Sequence, residues 1–162
     1  MTLERYLLDS NIFIQSEHNI PQDIFEGFWR ELGSLLESGT AVLHQTVADE
    51  LKRKQDPLVN WLKDLDGVEP MAPGNETLEK YLEVCAWADE QNYESRALRE
   101  FKAESRADAW LCAEAMASDL TLVTYETASN SIKKVKIPNV CAGMGIRCIG
   151  GFAFMRAQGF HF

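Results

Sequence analysis

Nowhere in this chain do about 18 uncharged apolar residues occur in a row, so no membrane-spanning helix is predicted. Internal repeats, low-complexity tracts and linkers long enough to divide domains are also missing. The 162 residues therefore predict one domain, residues 1–162, with a single core. A secretory h-region is lacking too, because Glu4 and Arg5 run straight into an apolar strand; the expectation is a cytoplasmic protein. The four cysteines, Cys85, Cys112, Cys141 and Cys148, form no C-x-x-C pair and have no histidine pattern nearby. Zinc ligands come in tight local pairs, so a structural zinc is not expected. Cys85 and Cys112 sit in helical apolar patterns and read as small core residues. Cys141 and Cys148 can come near each other, as reduced thiols in a cytosolic chain. His18, His44 and His161 share no spacing that makes a ligand set or a nucleophile pair. Positive charge is in deficit, 16 bases against 25 acids, for a net charge of −9. That counts against a generic nucleic-acid binder. It leaves room for a cation-binding cluster of acids and for local basic patches.

What is present begins with Tyr6-Leu7-Leu8-Asp9-Ser10-Asn11-Ile12-Phe13-Ile14. Two short apolar runs enclose an acid, a hydroxyl and an amide. Runs of the first kind read as a buried strand of a parallel sheet. A desolvated carboxylate is costly unless something pairs with it, and ligands of open α/β sheets bind beyond the carboxyl ends of the strands. Asp9 is therefore placed at the C-terminal tip of the first strand, facing a crevice. The plainer reading makes Asp9 a turn former.

Further along, Ile20 to Glu37 predicts a helix, with Ile24, Phe28, Leu32 and Leu35 on its buried face and Gly39 as its stop. Ala41 to Leu43 predicts a second strand. The next helix opens with Thr46 as cap, and Pro57 to Leu65 is another. Val68 to Met71 is at most an edge strand. Glu76 to Gln91 predicts a helix burying Leu78, Tyr81, Leu82, Cys85 and Ala88. Tyr93 to Glu104 reads as helical, and Ala107 to Met116 as a central buried helix. Leu120 to Thr124 is the next strand, Pro138 to Met144 a turn of helix, and Ile146 to Ile149 the last strand. A short helix from Gly150-Gly151 ends at Gly159. Strands alternating with helices indicate an α/β fold: a three-layer α/β/α sandwich around a central parallel sheet.

Four acids then fall at one edge of that sheet. Asp9 ends the first strand, Glu50 lies in the helix after the second, Asp108 opens the apolar helix, and Glu126 follows the next strand. At about 4–5 Å and an effective dielectric near 20, each pair costs roughly 3–4 kcal/mol. Such a cluster needs protons or a divalent cation. Oxygen donors without His or Cys suit Mg²⁺ or Mn²⁺. Taken singly, Glu50 and Asp108 are also explained as acids near helix N-termini, and Glu126 as a loop acid.

Asp-Ser-Asn after the first strand, Val-Ala-Asp-Glu-Leu, Ala-Asp-Ala-Trp-Leu at a helix start and Leu-Val-Thr-x-acid together resemble a PIN domain. The resemblance spans nearly the whole chain. It implies a metal-dependent ribonuclease, the toxin of a toxin–antitoxin pair, with Asp9, Glu50 and Asp108 as core ligands of Mg²⁺ or Mn²⁺. Ser10 and Asn11 match the small polar residues after the first aspartate, and Thr124 the threonine that steadies the site. Glu126 stands where the family usually has Asp, which puts its direct ligation in question. The implied products carry 5′-phosphate and 3′-hydroxyl ends, and the implied partners are RNA, an antitoxin protein and a second copy of the chain.

Basic residues flank each proposed ligand: Lys52, Arg53 and Lys54 after Glu50, Arg99, Lys102 and Arg106 before Asp108, and Lys133, Lys134 and Lys136 after Glu126. Of these, Lys52, Arg53, Arg106, Lys133, Lys134 and Lys136 are the candidate nucleic-acid contacts. Solvated surface is the plainer reading for each one singly. Trp29 and Trp110 are expected in the core, while Trp61 and Trp87 are left for a dimer face. A PIN-like module without activity and a phosphorelay receiver are the rival readings. The receiver needs an acidic pair after the first strand and an aspartate after the third, which Asp9-Ser10 and Val68–Met71 do not supply.

Overall fold

The computed structural model describes residues 3–54 and 56–161. Strand β1 (Tyr6–Leu8) is wholly buried and lies inside a four-stranded parallel sheet of order β2-β1-β3-β4. Its neighbours are β2 (Ala41–Val42) and β3 (Thr121–Thr124), with β4 (Cys148–Gly150) outside β3. Tyr6 stands opposite both Ala41 and Thr121, Leu8 opposite Val123, and Val123 opposite Ile149. The strands are short, apolar and branched because both sheet faces are covered by helices. The result is the predicted three-layer α/β/α sandwich. An isolated bridge, His44 to Met71, extends the β2 edge, so that Val68–Met71 forms no strand of the sheet among the described residues.

Helix α1 (Ser10–Asn19) starts at once after β1, with Ile12, Phe13 and Ser16 buried. The apolar spacing instead predicts a helix that begins only at Ile20. That expectation is corrected: Ile20 to Phe25 is a turn, in which the Ile24 and Phe25 amides both donate to the Pro21 carbonyl. Ile24 is 69% exposed, so its helical spacing with Phe28 is coincidental. The helix proper, α2 (Glu26–Ser38), buries Phe28, Trp29 and Leu32 and ends at Gly39, whose φ of 82° is the left-handed conformation that favours glycine.

Helix α3 (Gln45–Lys54) begins one residue before the expected cap. Thr46 lies within its first turn and hydrogen-bonds His44 Nδ1 at 2.8 Å. Helix α4 (Asp56–Lys63) follows. Helix α5 (Asn75–Glu90) packs along α7 (Asp108–Ala117) through Tyr81 and Ala88 of the predicted face but not through its two leucines. Leu78 and Leu82 are 49% and 62% exposed, while Thr77, Val84 and Ala88 are buried. The Thr77 hydroxyl donates to the Glu114 carboxylate of α7, and this buried bond orients α5 away from the leucine ridge.

Helix α6 (Ser95–Phe101) precedes α7, and α8 (Ile137–Met144) precedes β4, which starts two residues later than expected. Helix α9 (Gly151–Ala157) follows without a break. One core cluster runs from Tyr6 to Phe154. Trp29 is in it, as expected; Trp110 is half-buried, stacked on Tyr81 at 4.1 Å. Trp61 is turned inward onto Trp29 and Phe13. Trp87 lies over Gly143, where a Cβ would come within 2.3 Å of the indole. Both side chains are thus spent on packing within the chain. Cys112, Cys141 and Cys148 are free thiols, and Cys141 does neighbour Cys148. Hydrogen bonding to Cys112 holds the Cys141 thiol far above its ordinary pKa. Among the described residues, no helix is long and apolar enough to cross a membrane.

Candidate active-site cleft

All strands are parallel, so their C-terminal ends share one edge, and there a cleft of about 400 Å³ opens. Asp9, Glu50, Asp108 and Glu126 all line it. The fold thus gathers at one place four acids that span more than a hundred positions of sequence.

Asp9 sits at the end of β1, only 3% exposed, with its amide bonded to the Val123 carbonyl of the neighbouring strand. The Thr124 hydroxyl donates to Asp9 Oδ2 at 2.7 Å, and the Ser10 hydroxyl approaches Oδ1 at 3.4 Å. Asn11 locks the far side: its Nδ2 donates to Thr124 Oγ1 at 3.1 Å and its Oδ1 accepts the Tyr125 amide at 3.1 Å. Ser10, Asn11 and Thr124 therefore occupy the supporting positions assigned to them.

Burial is the first cause that raises Asp9, to about 8, and the Asp108 carboxylate is the second. Asp108, in the first turn of α7, is raised to about 6, again first by burial and then by Glu126, with Arg106 opposing. Glu50 is buried on α3, and Lys54, one turn on, reaches its Oε1 at 3.1 Å. Glu126 Oε1 lies 3.6 Å from Lys134 Nζ, while its Oε2 accepts the Ile137 amide that opens α8.

The donors are carboxylate and hydroxyl oxygens, the type that suits a hard divalent cation. Two of the acids are held partly protonated near neutral pH by burial and mutual repulsion, a penalty that such a cation removes. Among the described residues, no three His, Cys, Asp or Glu side chains stand close enough to cage an ion as they are. Glu50 and Glu126 are turned onto their lysines instead.

The bases divide. Arg106, Lys134 and Lys136 line the cleft as expected, and so does Lys54. Lys52 and Arg53 do not line it. At 100° per residue Lys52 stands about 160° around the helix from Glu50, whereas Arg53 is only about 60° from it and is turned aside by its own hydrogen bond. Lys52 borders an apolar groove with Leu43, Ala48 and Leu62, and Arg53 donates to the Ser105 carbonyl at 2.8 Å. Lys133 is exposed beside the cleft without lining it, and Lys102 is paired with Asp89.

Sequence reasoning missed Tyr125, whose ring lines the cleft and whose hydroxyl meets Ser16 at 2.8 Å. It also missed a buried network behind the site. His44 Nε2 meets Glu114 Oε1 at 2.9 Å, and Thr77 and Ser118 hydroxyls donate to Oε2 at 3.1 and 2.6 Å. A charged residue within an apolar, buried helix, Glu114 in Leu-Cys-Ala-Glu-Ala, was the available signal.

A comparison with curated proteins finds no match. The family profile described as a domain of unknown function (DUF4411) matches residues 6–162, from the first residue of β1 onward. This chain therefore belongs to the DUF4411 family.

Proposed function

We propose that this chain is a metal-dependent endoribonuclease of the PIN type, the toxin of a toxin–antitoxin pair that hydrolyses RNA phosphodiester bonds. The observation that carries the reading is Asp9: a carboxylate 3% exposed that faces a second acid, Asp108, in a cleft with cations at its rim. A buried, mutually repelling pair of acids of that kind is retained at a cost, and substrate or cation chemistry is the use that compensates it. The resemblance of the four acid-bearing segments to PIN domains supports the same reading.

Asp9 and Asp108 would hold Mg²⁺ or Mn²⁺, with Glu50 as a further ligand or as the group that orients water. When bound, the ion would supply an acidified water and offset charge building on the phosphate. Thr124 and Asn11 keep Asp9 in one rotamer, so its oxygens need no reorganisation. Glu126, tied to α8, acts at the margin of the site through water. Lys54, Arg106, Lys134 and Lys136 are placed to contact phosphate oxygens. A cytoplasmic location and an antitoxin partner accompany this proposal.

The test is cleavage of RNA by the wild type and by Asp9→Asn, with matched Mg²⁺ and with EDTA. Cleavage that needs the metal and falls at least about 10²-fold in the variant is the expected result. Equal rates would sink the assignment. One observation favours the second reading, an inactive PIN-like module: Lys54 and Lys134 already pair with Glu50 and Glu126. RNA binding that is indifferent to Mn²⁺, with no cleavage, would establish it.

A further inference from the structure

Helix α9 carries on its first turn an aromatic side chain that the core does not use. Phe152 is 61% exposed, while the next aromatic on the same helix, Phe154, is 1% exposed and packs on Tyr6 at 5.0 Å. The ring of Phe152 neighbours that of Tyr125, with centroids 6.0 Å apart and planes at 55°. Tyr125 is rigid. Its amide is held by Asn11, its hydroxyl by Ser16, and its ring lies against Gly151, where a Cβ would come within 2.3 Å of Cε1. Tyr125 is also one of the residues that line the acid cleft, and it precedes Glu126 in sequence. A fixed aromatic inside the cleft thus continues into an exposed one outside it. Lys134, Lys136 and Arg106, bases that would face phosphates, border the same cleft.

We propose that Phe152, backed by Tyr125, is a stacking platform for one base of a single-stranded nucleic acid whose backbone lies in the acid cleft. The inference deepens the nuclease reading and rests on it for the nature of the polymer. Stacking suits a chain of net charge −9, whose overall field repels phosphates and whose rim bases are few. Every base offers a π-face, so the contact is tolerant of sequence. It requires an unpaired base, because in an A-form duplex both faces of each base are covered by stacking. The site therefore selects single strands, loops or ends over continuous duplex.

The experiment uses the full chain and a short oligoribonucleotide carrying 2-aminopurine, whose fluorescence is quenched on stacking. Binding is read with Ca²⁺ and with EDTA; cleavage is read separately with Mg²⁺. Wild type and Phe152→Trp are expected to quench and to bind alike, and Phe152→Ala to lose the quench and bind about tenfold more weakly. The fully paired duplex of the same sequence is expected to bind more weakly than the single strand. Phe152 is exposed, so its alanine variant keeps the fold, which circular dichroism checks. Unchanged quench and affinity in Phe152→Ala, equal affinity for the duplex, or no oligonucleotide binding by wild type would overturn the platform. A change of oligomeric state in Phe152→Ala, with nucleotide binding intact, would overturn it and assign the ring to a protein contact. An oligonucleotide that is bound and quenched but not cut would uphold the platform while the nuclease reading fails. Cutting with an unchanged KM in Phe152→Ala would do the reverse.

Discussion

Thr124 donates a 2.7 Å hydrogen bond to the buried carboxylate of Asp9, joining the C-terminal ends of two adjacent strands. The same hydroxyl oxygen accepts from Asn11 Nδ2 and from the Glu126 amide, so it is saturated on all sides. With two donors directed at its lone pairs, its proton is left for Asp9. Thr124→Val keeps the volume and removes every one of these bonds. On the nuclease reading proposed above, RNA cleavage should fall about 10–100-fold, the usual cost of losing a metal ligand's supporting bond. Thermal unfolding should shift by only a few degrees. Kinetics at saturating and limiting Mg²⁺ check it; unchanged activity would contradict the supporting role.

Stability should depend on pH in a direction unusual for acids. Asp9 and Asp108 have folded pKa values raised to about 8 and about 6, against an ordinary carboxylate value of 3.8. Between 3.8 and those values the folded chain holds protons that the unfolded chain has lost. Metal-free stability therefore declines as pH rises from about 4 to about 8. Mg²⁺ or Mn²⁺ should offset the decline at pH 8, and Asp9→Asn should flatten it, gaining about 1–2 kcal/mol there. Calorimetry across this range, with and without EDTA, decides.

The His44–Glu114 pair is fully buried and holds α7 against the end of β2. His44→Ala leaves the carboxylate facing an empty site and should cost about 3–5 kcal/mol. Glu114→Gln should cost less, because an amide keeps part of the network. Burial raises the Glu114 pKa, but the bonds from His44, Ser118 and Thr77 outweigh it and hold the value below the usual 4.5. Its contribution is thus present above the unfolded value and lost as pH falls through the lower folded one. Denaturant midpoints at pH 7 and pH 3 should converge for Glu114→Gln and the wild type.

Four bases line the cleft, and only three of the six expected contacts are among them. Lys54→Ala and Lys134→Ala should each weaken RNA binding and reduce its salt slope by about one. Lys52→Ala, on the apolar groove, should change neither. Titrations over a range of salt concentrations separate the two classes, and an effect of Lys52→Ala equal to that of Lys54→Ala would contradict the assignment.

The sheet and the four acids were legible because each sits in a local pattern: a branched apolar run followed by a polar residue, or an acid opening an apolar helix. Periodicity failed where a polar bond outranked apolar spacing. Thr77 and Glu114 set the rotation of α5, so Leu78 and Leu82 face outward although their spacing is helical. Ile24 was misplaced for a different reason, a turn closed on Pro21.

By itself the chain's residue order determined the alternation of strands and helices, and hence one sheet edge carrying Asp9, Glu50, Asp108 and Glu126. Those are consequences of local pattern and of right-handed crossovers. Only the tertiary structure decided which side chains turn into the cleft: Lys54 rather than Lys52, and Glu126 fastened to α8. Neighbours on a helix differ by 100° in direction, and which direction is inward depends on what packs opposite.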